Sequence, residues 1–145
     1  MRGLISLLLA LTVAACGNFT APIPTPGTMD DVIAGLVLRG VTVHGLVSGN
    51  AGCPSSELHS NAVMMEVAID DRSATHAVYL LRWRRAGDYA NSAQAFAGCV
   101  AEYQALNPGQ GISQVESEPW RAYGPGWPAD LGPRLVDALR AAGGD

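Results

Sequence analysis

The sequence predicts an α+β domain: a small antiparallel sheet with helices mostly on one face, in the order α-β-β-β-α-β-α. Three observations carry this reading. Apolar residues recur at helical spacing in three separate stretches. β-branched, aromatic and other apolar residues form three successive strand-like runs near the middle of the chain. The second and third of these runs are joined by a short polar connection, which suits a hairpin and not a parallel crossover.

In chain order, Thr28 and Asp31 have capping-box spacing, and Met29, Val32, Ile33 and Leu36 follow at helical intervals up to Gly40. Val41 to Val47 alternates and is rich in valine, as a strand should be. Ser48 to Ser60 is rich in Gly, Ser and Asn and is expected to be a loop holding Cys53. Asn61 to Asp70 and Thr75 to Arg84 form the hairpin around Asp71-Arg72-Ser73. Simple pairing would put Val63, Met65, Val67 and Ile69 on one core face with Ala77, Tyr79 and Leu81. The opposite face, with Met64, Ala68, Val78 and Leu80, is too apolar to be fully wet, so it needs a second layer, a partner or a ligand. A helix capped by Asp88 or Asn91 runs to Leu106, with Phe96, Cys99, Val100, Tyr103 and Leu106 as its stripe. Ile112 to Glu118 is a weaker strand. Trp120 to Pro128 is expected to be a loop, and Pro128 to Ala142 a helix whose first turn is marked by Pro128 or Pro133.

Composition narrows the class further. The chain has 145 residues, 48% apolar and 15% charged, with a formal charge of −4. These values fit one small globular domain, over residues 30–145, and disfavour a nucleic-acid partner, which normally selects a basic excess. Every basic residue is Arg, so Schiff-base lysine chemistry, a Ser-Lys dyad and lysine-based phosphate loops are excluded.

The N-terminal stretch carries an address. Arg2 precedes an apolar run from Leu4 to Val13, too short to span a bilayer, and small residues lead into Cys16. Residues 1–15 therefore read as a signal peptide. Val13-Ala14-Ala15-Cys16 resembles the lipobox of bacterial lipoproteins, a resemblance confined to Met1 to Cys16. It implies diacylglyceryl transfer to the Cys16 thiol, cleavage before Cys16, and an exported protein anchored by lipid on the extracytoplasmic side of a membrane. Plain secretion by cleavage at the same bond is the alternative. Residues 16–29, with Pro22, Pro24 and Pro26, then form an extended tether.

With Cys16 lipidated, Cys53 and Cys99 remain as a pair in an oxidising compartment and are expected to form a disulfide. Closing a loop of roughly 47 residues would stabilise the fold by about 4 kcal/mol in the chain-entropy picture. A catalytic thiol at Cys99 beside one of the histidines is the rival reading.

Sites are less legible. His44, His59 and His76 lack zinc-helix spacing, and Asp70-Asp71 beside His76 fits a solvated turn better than a cation site. The sequence implies neither a metal nor a cofactor. Glu116 and Glu118, expected on one face of a strand, are candidates for paired-acid glycosidase chemistry, or else exposed acids on an edge strand. Arg82 and Arg84, sharing a face across Trp83, are candidates for an anion clamp, or else a charged strand end. Trp120, Arg121, Tyr123 and Trp127 crowd one short stretch, either as an aromatic platform for a sugar or peptide or as a plug for the core. The reading that results is a membrane-anchored envelope lipoprotein with a non-catalytic binding or interaction domain and a protein or glycan partner. Its alternatives are a small-ligand module using the Trp120–Trp127 stretch and a cell-wall hydrolase.

Overall fold

In the computed structural model, which describes residues 27–70 and 74–143, the α+β class holds and the sheet has five strands. The signal peptide, Cys16, most of the tether and the Asp71-Arg72-Ser73 turn lie outside the described residues. The elements are α1 (Met29–Val37), β1 (Val41–Ser48), a 3-10 turn (Ser56–Asn61), β2 (Ala62–Ile69), β3 (His76–Arg82), α2 (Ala86–Asn91), α3 (Ala93–Leu106), β4 (Ile112–Ser117), β5 (Trp120–Pro125) and α4 (Leu131–Gly143). The antiparallel strand order is β1-β2-β3-β5-β4.

The helix α1 starts as its sequence predicts. The Asp31 carboxylate accepts from the Thr28 backbone N–H at 2.6 Å and from its hydroxyl at 2.9 Å. Those bonds hold the Asp31 carboxyl below its ordinary pKa. The turn after α1 closes at Gly40, whose φ of +71° suits glycine. Val32 and Leu36 bury against the sheet and α4, and Gly35 lets the two helices approach closely, with a would-be Cβ only 3.3 Å from Ala138. On α4, Leu131, Leu135, Ala138, Leu139 and Ala142 form the buried stripe, and Pro133 sits in the first turn, where no N–H is needed. Arg134 on the same helix grips both oxygens of Asp70 at 3.0 Å.

Two expectations about the sheet are corrected. The hairpin pairs Met65 with Val78 and Val63 with Leu80, one residue out of the simple register. A shift of one residue exchanges faces, so Met65, Val67, Val78 and Leu80 share one side, while Tyr79 and Leu81 lie on the other with Ala62. The helices also occupy both sides of the sheet. Helices α1 and α4 cover the first face in one core cluster. Helix α3 and the segment from Ala51 to Leu58 cover the second. Both faces of the hairpin are thus covered within the chain, and Val78 and Leu80, expected on the far face, lie in the first cluster. On α3, Phe96, Cys99, Val100 and Tyr103 are buried as their spacing predicts, whereas Leu106 is exposed.

Cys53 and Cys99 are joined by a disulfide with Cα atoms 5.3 Å apart. It pins the irregular 51–58 segment to α3, at the centre of the second cluster. An occupied sulfur is no nucleophile, so the catalytic-thiol reading of Cys99 falls away.

Candidate functional site

The Trp120–Pro125 stretch, expected to be a loop, is strand β5, paired on both edges with β3 and β4. Its side chains point alternately into the two cores. Trp120, on the α1/α4 face, is wholly buried, with the Arg82 guanidinium 5.2 Å from its ring centre. Tyr123, on the other face, is also wholly buried. Its ring stacks on Tyr79 at 5.1 Å and meets Phe96 and Tyr103 edge-on. Its hydroxyl donates to the Ala51 carbonyl and lies 3.5 Å from Cys99 Sγ. Burial pushes the Tyr123 phenol far above the ordinary tyrosine range. Trp127 is nearly buried too and donates its indole N–H to the Ala77 carbonyl at 2.9 Å. These rings plug the core and present no face on which a sugar or peptide would stack.

Arg121 is the charged residue of β5, with only 5% of its surface exposed. Its Nε donates to Glu116 at 3.1 Å and its Nη1 to Ser92 Oγ at 3.0 Å. Its guanidinium lies 4.1 Å from the Tyr89 ring centre and within 6 Å of the Trp83 and Phe96 rings. The Tyr89 hydroxyl donates to the same Glu116 at 3.0 Å. Burial, then the Glu116 hydrogen bond, raises the Tyr89 phenol above its ordinary value. The arrangement is a caged ion pair that ties α2, α3, β4 and β5 together.

The expected pairing of Glu116 with Glu118 is not found: β4 ends at Ser117, and Glu118 sits in the turn before β5. Arg82 and Arg84 are separated for the same reason. Strand β3 stops at Arg82, so alternation no longer governs Arg84. Arg82 lies over Trp120, and Arg84 projects with Arg85 on the α3 side. The histidines do not converge. His44 falls at the bulge in β1, His76 begins β3, and His59 donates from Nε2 to the Cys53 carbonyl at 2.9 Å. Among the described residues, no group of three His, Cys, Asp or Glu side chains is placed to hold a metal ion.

The arginines at the end of β3 instead open onto a cleft of about 530 Å³, a size typical of small-ligand sites. Trp83 and Leu58, both nearly buried, form its apolar floor. Glu57 and Asn61 come from the 3-10 turn, Arg84 and Arg85 from the β3–α2 connection, and Asp88 and Asn91 from α2. None of these six polar side chains makes a hydrogen bond or ion pair with another described residue. Ser92, also on the wall, is held from beneath by Arg121. Sequence reasoning found Arg84 but missed the other five residues, because two separate stretches, 57–61 and 84–91, supply them and no spacing links the one to the other. The adjacent Arg84-Arg85 pair just past a strand end was the one available signal.

No family model, no curated protein and no solved structure matches this chain.

Proposed function

We propose that this protein is an exported, lipid-anchored envelope protein whose domain binds a small polar ligand without transforming it. The address rests on the lipobox-like Val13-Ala14-Ala15-Cys16, with acyl chains on Cys16 as the membrane contact and residues 16–29 as the tether. The Cys53–Cys99 disulfide fits an oxidising compartment. The binding reading is carried by one observation: six mutually unengaged polar side chains surround an open cleft over an apolar floor. That cleft replaces the buried Trp120–Trp127 stretch as the place where a ligand would sit. The hydrolase reading loses ground, since Glu116 is occupied by Arg121 and Tyr89 and Glu118 is not beside it.

Mass spectrometry of the mature N-terminus tests the address. The expected product begins at a diacylglyceryl-modified Cys16, and Cys16→Ala should leave the protein unanchored. An unmodified Cys16 in the mature protein overturns the anchor. Calorimetric titration with small polar compounds tests the binding reading. Saturable heat that disappears in Arg84→Ala/Arg85→Ala supports it, and a cleft silent to amino acids, peptides, sugars and phosphates overturns it.

A further inference from the structure

The charge pattern of the cleft specifies the chemistry of its ligand. Its wall carries two guanidiniums, Arg84 and Arg85, and two carboxylates, Glu57 and Asp88, and no ion pair joins the two sets. A purely anionic ligand would gain from the arginines but approach both carboxylates, and a purely cationic one would meet the reverse problem. A molecule with a carboxylate at one end and an ammonium at the other is attracted at both. A neutral sugar fits poorly, because carbohydrate recognition uses an exposed aromatic face and Trp83 is only 4% exposed. The amides of Asn61 and Asn91 match backbone N–H and C=O groups, and the Leu58 and Trp83 floor takes a small apolar side chain.

Resting on the binding reading above, we propose that the cleft holds a short peptide with both termini free, its carboxylate toward Arg84 and Arg85 and its ammonium toward Glu57 and Asp88. Charge-assisted bonds to the peptide's two termini would fix its length and direction, with the amides of Asn61 and Asn91 bonding to its backbone. All four charged residues are exposed, so their substitution leaves both cores intact.

The test is calorimetric titration of the full-length protein in detergent micelles with trialanine, N-acetyl-trialanine, trialanine amide, inorganic phosphate and N-acetylglucosamine. Free trialanine is expected to bind, and each capped form to bind about fivefold or more weakly. Arg84→Ala/Arg85→Ala should abolish the preference for a free carboxylate while keeping that for a free amine. Glu57→Gln/Asp88→Asn should do the opposite. Equal binding of free and capped peptides overturns the two-ended recognition but leaves the cleft as a binding site. So does saturation by phosphate or N-acetylglucosamine, sensitive to Arg84→Ala/Arg85→Ala, without any response to trialanine. If no probe binds, this proposal and the binding reading fall together.

Discussion

Tyr89 is the only partly buried residue of α2, and its ring lies 4.1 Å from the Arg121 guanidinium. That contact, an edge-on packing against the Trp83 ring at 5.9 Å and the hydroxyl bond to Glu116 connect a six-residue helix with no buried residue to the body of the protein. The cleft shares this wall, through Asp88 and Asn91.

Tyr89→Ala should therefore loosen α2 more than it destabilises the whole. Losing one cation–π contact, one edge-on contact with Trp83 and one charge-assisted hydrogen bond costs about 2–3 kcal/mol. Hydrogen exchange should accelerate at the amides of residues 86–91, while α3 beyond Phe96 stays protected. Tyr89→Phe, which keeps the ring over Arg121, should retain most of the protection. Uniform acceleration across α3 would show that α2 is not an independently held element.

Removing the disulfide acts on the other wall. The double substitution Cys53→Ala/Cys99→Ala frees a loop with 46 residues of sequence separation, and chain entropy places the loss at about 4 kcal/mol. The 51–58 segment, which delivers Leu58 to the cleft floor and Ala51 to Tyr123, should become the first part to open. Urea unfolding with and without reductant measures both effects. A wild-type midpoint indifferent to reduction would contradict the assignment.

What was legible in the sequence follows from how many faces of an element are buried. Helices α1, α3 and α4 each bury one stripe, so the period of 3.6 showed clearly in Val32 and Leu36, in Phe96, Cys99 and Tyr103, and in Leu131, Leu135 and Leu139. The Cys53–Cys99 pairing followed from counting. Strand β5 is buried on both faces, so Trp120, Ala122 and Tyr123 give no alternation, and Gly124 and Pro125 suggested a loop. The β2–β3 register was misread for a related reason: both faces of this hairpin are apolar, and pattern alone does not choose between registers one residue apart. The cleft was illegible because its polar rim comes from two separate stretches of sequence, 57–61 and 84–91, whose proximity depends on the disulfide-pinned 51–58 segment and on α2.

Two glycines offer opposite outcomes from the same substitution. A Cβ at Gly124 would stand 2.2 Å from the Ala77 carbonyl oxygen and 2.5 Å from Trp127 Nε1. Gly124→Ala must push β5 away from β3 or break the Trp127–Ala77 bond, and should cost about 3 kcal/mol or more. Gly98, in the middle of α3, has no atom within 4 Å of its would-be Cβ. Gly98→Ala should stabilise the protein by about 0.5–1 kcal/mol, through helix propensity and a less flexible unfolded chain. Thermal melts of the two variants decide it. A neutral Gly124→Ala would mean that the β5 edge is looser than its packing implies.

The buried phenol of Tyr123 makes a prediction about alkaline pH. Burial, with its hydroxyl donated to the Ala51 carbonyl, favours the neutral form, so its folded pKa lies well above its unfolded one. Below about pH 10 both states keep the proton, and Tyr123 contributes no pH dependence. As pH rises past that point the unfolded chain releases the proton first, so it binds fewer protons than the native state and stability falls. The slope from this residue approaches about 1.4 kcal/mol per pH unit, with Tyr79 and Tyr89, raised for the same reason, adding to it. Tyr123→Phe should cost about 1 kcal/mol near neutrality, because it leaves the Ala51 carbonyl without its donor, and should flatten the alkaline limb by up to one proton. Urea midpoints between pH 8 and pH 11.5 give both numbers. An alkaline limb equally steep in the variant would place the titrating group elsewhere, on Tyr79 or Tyr89.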